Sequence, residues 1–201
     1  MSRDCDKRQA ILAAARRAIT EHGYARATVE DIAAEAGVAK GTVYLYFKDK
    51  ADIVDGLVAQ TLDDGLATVR ANAAREAAPV EKLKAVFAGW AEMSQQSAGG
   101  VSLSSPDAIQ FASLDVERLE RVVRPRMRAI IEALVEIIRP GIASGDFRSV
   151  NPYLVAALLI HYFPASILVE RQQLPVENPL EEALDAYLHG ILAAPSPKEN
   201  R

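Results

Sequence analysis

A single cysteine, Cys5, stands in a chain of 201 residues. That excludes a disulfide framework and a thiolate zinc site, since each needs several sulfurs, and Cys5 reads as an unpaired thiol in a polar start. Histidine is almost as scarce. His22, His161 and His189 are scattered, and none has a carboxylate three or four residues further on, as a di-metal helix bundle would require. The chain also lacks HExxH, GxSxG, a phosphate-cradling glycine loop and a cysteine near a base. Gly99-Gly100 breaks a loop without the lysine that a phosphate site wants. An enzyme is therefore not expected, nor a metal or cofactor. The opening MSRDCDKRQ carries acids and no apolar core, so no secretory signal is expected and the expected compartment is the cytoplasm.

What remains is an ordinary globular balance, 50% hydrophobic and 25% charged, enough for one large domain or two small ones. One stretch, PYLVAALLIHYFPASILV from Pro152 to Val169, approaches membrane-spanning length. His161 and Pro164 interrupt it and Glu170 and Arg171 follow at once, so it reads as a helix buried on all sides, with no membrane partner expected. The net charge of −4 is unevenly divided: residues 1–50 carry an excess of two cations, and the acids lie beyond. That balance excludes non-specific wrapping of nucleic acid, which needs a strongly basic surface. A small N-terminal module with locally placed cations remains open.

Helical spacing dominates and nothing alternates as a strand would. Ile11, Ala15 and Ile19 recur one turn apart with Leu12 beside them, up to His22-Gly23. Thr28 with Asp31 three residues on has the form of a capping box, opening a short helix that ends at Gly37. A second short helix spans about 40–47, and Asp49 with Asp52 opens a long one to about residue 75. Prolines then mark first turns at Pro79, Pro106, Pro152 and Pro179. Asp115 caps a further helix, which Pro125 kinks and Pro140-Gly141 ends. The expected loops are 97–104 and 140–151. The expectation is an all-α chain of about nine helices: a helix-turn-helix domain over 1–50, a C-terminal helical domain over 51–194 and a disordered tail over 195–201.

The informative segment is TVEDIAAEAGVAKGTVYLYFKDK, residues 28–50. Val29, Ile32, Ala33 and Ala36 form one apolar face, Val38, Val43 and Phe47 supply its match, and Gly37 turns the chain between them. The leftover residues carry the chemistry. Lys40 pairs with Tyr44, and Thr42 with Tyr46, one turn apart; Lys50 lies a turn beyond. All are hydrogen-bond donors, which suits phosphates and base edges in a major groove, and Gly41 would let backbone approach a duplex closely. A generic helical hairpin with a polar face is the plainer alternative. Against it stands an aromatic pair exposed on a helix too short to be stable alone.

The stretch GVAKGTVYLYFKDK, preceded by ATVEDIAAEA, closely resembles the N-terminal domain of the TetR family of bacterial transcription regulators over about residues 8–56. The resemblance implies that Thr28 and Lys50 hold the DNA backbone, that Tyr46 contacts phosphate, and that Lys40, Gly41, Thr42 and Tyr44 lie on the recognition surface. Glu30 stands where some members place a base-reading cation. Leu45 replaces bulkier polar or aromatic residues, and either touches a thymine methyl or packs locally. Arg3, Lys7 and Arg8 form an arm on the duplex or a solvated terminus. The implied function is a ligand-responsive repressor that binds a palindromic operator in double-stranded DNA as a homodimer and is released by a small apolar or amphipathic effector.

For the dimer, the all-round apolar helix 152–170 and the stripe Leu180, Leu184, Leu188 and Ile191 are candidates for a two-fold four-helix bundle; a large monomeric core is the alternative. Phe87, Trp90, Met93, Phe111 and Met127 are candidates to line the effector cavity, with plain core as the other reading. His161 is expected to be a hydrogen-bonded interior or interface residue, and Glu92 to be exposed. A helical adaptor that binds only protein is a third reading, which leaves the donor surface of residues 40–50 unexplained.

Overall fold

The computed structural model describes residues 2–96, 117 and 119–192. Phe111, Asp115, the glycine-bearing loop at 97–104, the helix start at Pro106 and the tail from residue 195 lie outside the described residues, as do the side chains of Arg3 and Cys5. Within them the chain is all-helical, with eight α-helices. They are α1 (Ser2–Arg26), α2 (Val29–Glu35), α3 (Lys40–Tyr46), α4 (Lys50–Ala73), α5 (Pro79–Gln96), α6 (Arg124–Ser144), α7 (Pro152–Arg171) and α8 (Pro179–Ile191). A π-helical turn, Leu119–Val123, leads into α6. Pro125 explains its place: proline has no N–H to give the carbonyl of Arg121, so the regular ladder cannot extend backwards through it.

The chain divides into two compact units. The first takes Met1–Asp64 with Met93–Arg126, the second Gly65–Glu92 with Met127–Arg201. Helices α4, α5 and α6 are each shared between them.

In the first unit the expected apolar stripe of α1 is buried at Ile11, Leu12, Ala15 and Ile19, and Gly23 breaks the helix with φ of 77°. Val29, Ile32 and Ala33 of α2 are buried, as are Val43 of α3 and Phe47 just beyond it. At seven residues, α3 is below the length at which an isolated helix persists in water. Burying Val43 and Phe47, at about 1.5–3 kcal/mol each, is what holds it. Gly37, φ 67°, turns the chain between α2 and α3 in the left-handed region that disfavours side chains. Asp49 Oδ1 accepts the Asp52 N–H at 2.8 Å, fixing the start of α4.

In the second unit, α6 departs from expectation by running through Pro140 and Gly141 to Ser144. Phe147 folds back onto Gly141, where a Cβ would lie 2.4 Å from its ring. That close packing rewards helical backbone at a residue pair that otherwise stops helices, and Gly145 (φ 82°) follows the true end. The stripe Leu180, Leu184, Leu188 and Ile191 belongs to α8, which packs on α7; Leu188 and Ile191 are buried within the protomer. Tyr187 Oη donates to the Val155 carbonyl at 3.2 Å, and its ring meets Tyr162 edge-on. Burial raises the Tyr187 pKa well above the usual phenol range, so the donor keeps its proton.

Helix α7 is not buried on all sides. It is long and apolar enough to cross a membrane by length and composition, yet only 28% of that window is buried. Leu154, Leu158 and Leu168 are 61%, 43% and 44% exposed, and His161 lies exposed among them.

Candidate nucleic-acid interface

The capping box at the start of α2 is formed in full. The Thr28 hydroxyl accepts the Asp31 N–H at 3.1 Å and donates to Asp31 Oδ2 at 2.6 Å, while the Thr28 N–H reaches the same oxygen at 2.9 Å. These bonds hold the Asp31 carboxyl below its ordinary range. Thr28 is exposed, so its hydroxyl lies at the surface while serving as the cap.

Helix α3 turns Lys40, Gly41, Tyr44 and Leu45 outward. Tyr44 is 48% exposed and Leu45 82%. Nothing lies within 4 Å of where a Gly41 Cβ would stand, so the surface is open there. Thr42 and Tyr46 are half-buried on the flank, with the buried Val43 behind them. The middle of the exposed face therefore runs along Gly41 and Leu45 as much as along Lys40 and Tyr44. Of the two roles open to Leu45, local packing is the one this exposure does not fit: it projects from the face one turn beyond Gly41.

The donor surface is also not free of carboxylate. Packing of α2 on α3 brings Glu30 onto the Lys40 ammonium. Their hydrogen bond lowers the Glu30 pKa and raises that of Lys40, so both are charged at neutral pH. The same ammonium lies 5.8 Å from the centre of the Tyr44 ring.

Lys50 faces the end of α1. Its Nζ donates to the carbonyls of Tyr24 at 2.7 Å and Ala27 at 2.9 Å, and sits 4.4 Å from the Tyr24 ring centre. An ammonium has three donors, and two of them are used here on the link between α1 and α2.

The same unit holds a cleft of about 530 Å³ that nothing in the sequence announced, lined in part by Arg8, Tyr46, Asp55 and Arg121. Asp55 is buried and its Oδ2 accepts from Arg121 at 3.1 Å. Arg8 lies over the Phe47 ring at 5.1 Å.

Among the effector candidates, Phe87 and Trp90 are buried together in the second unit around Phe163. Their ring centres lie 5.5 and 5.8 Å from that of Phe163, and Trp90 Nε1 donates to the Gly65 carbonyl at 3.2 Å. Phe163 was missed because it sits in the helix read for dimerisation. Met127 is half-buried in this unit, whereas Met93, also half-buried, falls in the other. Glu92 is exposed. His189 does meet a carboxylate, Asp185 one turn before it, at 3.1 Å. No group of three potential metal ligands occurs among the described residues.

The model of the family described as "Bacterial regulatory proteins, tetR family" matches residues 11–57. The chain is 30% identical over 138 residues to the fatty acid metabolism regulator protein of Bacillus subtilis, covering 69% of each. Its fold is similar to that of a ketosteroid transcriptional regulator of Mycobacterium tuberculosis, with TM-score 0.66, 26% identity and coverage of 93% and 95%. It is also similar in fold to the transcriptional regulator FadR of Bacillus subtilis solved in complex with stearoyl-CoA, with TM-score 0.69, 22% identity and coverage of 91% and 98%.

Proposed function

The chain belongs to the TetR family of bacterial regulatory proteins, and from that premise we propose how this ligand-responsive, DNA-binding repressor uses its residues. Helices α2 and α3 act as a helix-turn-helix, with α3 in the major groove. Residues 1–50 are the reading domain and 51–194 carry effector binding and dimerisation. The observation that carries the reading is the outward face of Lys40, Gly41, Tyr44 and Leu45, held out by Val43 and Phe47 buried behind it. Lys40 and Thr42 meet base edges; Tyr46 and the remaining donor of Lys50 meet phosphates, and Thr28 joins them when its hydroxyl turns from Asp31 to a phosphate oxygen.

Two copies pair through the exposed apolar stripe of α7, so that a palindromic operator is read one half-site per protomer. This accounts for a helix that is apolar enough for a membrane but lies in a protein of this family. The protein works in the cytoplasm and is no enzyme. Its effector is an amphipathic molecule with a long acyl chain, a class supported by the stearoyl-CoA in the FadR complex and by the aromatic cluster of Phe87, Trp90 and Phe163. Mobility shift with the DNA upstream of its own coding sequence, paired with light scattering, tests this. A dimer that shifts the fragment is expected. A monomer with unaltered specific binding counts against it.

A further inference from the structure

Leucine is an unexpected residue to find 82% exposed on the outward face of α3. Its side chain offers neither donor nor acceptor, so it adds nothing toward phosphates or toward the polar edges of bases. It is also not needed for packing, since Val43 and Phe47 supply the buried face of the segment. Around it the surface suits a polyanion: Lys40 stands five residues before it and Lys48 three after, both exposed, and α3 itself carries no acid. Gly41, one turn before Leu45, leaves open space beside it.

The major groove presents one projecting apolar group, the C5-methyl of thymine; the other groups that tell base pairs apart there are hydrogen-bond donors and acceptors. Pressing Leu45 against adenine, guanine or cytosine would strip water from a polar edge without return. Pressing it against a thymine methyl removes apolar surface on both sides. We propose that Leu45 is a specificity-determining residue that selects a thymine in each operator half-site through that methyl group. The inference rests on the DNA-binding reading above and adds the base that the site prefers.

The test uses the full chain and DNA recovered by it from genomic fragments. Each thymine of the recovered operator is replaced in turn by deoxyuridine, which removes only the methyl. One position per half-site should lose about fourfold in affinity, and about fifteenfold when both are replaced, the change that burial of a single carbon group carries. Leu45→Ala, at a position so exposed that folding is undisturbed, should bind thymine and uracil forms equally at that position. Uracil forms that bind the wild type as well as thymine forms overturn the inference, as does a Leu45→Ala protein that still discriminates. Failure of the wild type to recover any specific DNA overturns the underlying DNA-binding reading, and this inference with it.

Discussion

Lys50 sits half-buried at the start of α4, with two donors on the carbonyls of Tyr24 and Ala27 and its charge over the Tyr24 ring. Hydrogen bonds from a charged donor contribute about 1.5–3 kcal/mol each when they satisfy groups shielded from water. Lys50→Ala should therefore lower stability by roughly 1–3 kcal/mol, after discounting for partial exposure, as well as weakening DNA binding at every sequence. Thermal unfolding of the free protein separates the two effects, and an unchanged midpoint would show that the carbonyl contacts contribute nothing. The capping box of Thr28 and Asp31 was legible because both partners lie within one turn. Lys50's partners lie 26 and 23 residues away, and Glu30 meets Lys40 from another helix, so neither contact was visible in local spacing. Glu30→Gln should weaken the hold on the Lys40 ammonium, which becomes available to a phosphate or base. Operator affinity should then rise, with a salt slope steeper by about one unit where the freed ammonium reaches a phosphate and an unchanged slope where it reaches a base edge. An affinity and a slope both equal to those of the wild type would place Lys40 away from the DNA.

Helices whose ends are set by local hydrogen bonds were readable in advance. The starts of α2, α4 and α7 follow from Thr28, Asp49, and Asn151 with Pro152, while that of α8 follows from Pro179 without a side-chain cap. The end of α6 was not readable, because it is decided by Phe147 packing onto Gly141 from beyond the helix. Composition also misled for α7, since an apolar sequence does not say how many neighbours one protomer supplies. Its exposed residues Leu154, Leu158, His161, Ala165 and Leu168 recur by fours and threes, the spacing of a seam between packed helices. Leu158→Asp should cost little in a monomer, where the side chain is 43% exposed. In a dimer the same change buries two unpaired carboxylates, a severe penalty. Sedimentation should show a monomer at micromolar concentration with weaker operator binding. A dimer of undiminished strength would move the interface elsewhere.

At the scale of the whole molecule, an effector releases DNA only to the extent that it binds one form of the protein better than another. In the proposed function, helix α4 would carry that difference covalently: its start holds Lys50, and its Gly65 carbonyl accepts from Trp90 in the aromatic cluster. Under the proposed function, an acyl chain entering beside Phe87 and Phe163 would disturb the packing that sets the Trp90 hydrogen bond. Trp90 is the chain's single tryptophan, so its fluorescence reports occupancy directly. Stearoyl-CoA is the probe, and binding should change that emission and weaken operator affinity by about 5- to 150-fold, the usual range of such couplings. Because the coupling is reciprocal, operator DNA should weaken stearoyl-CoA binding by the same factor. In Trp90→Phe the ring remains and the N–H is lost, so ligand binding, followed by calorimetry, should persist while the coupling shrinks. Saturating ligand that alters the tryptophan signal but leaves operator affinity unchanged would disprove this route from effector to DNA.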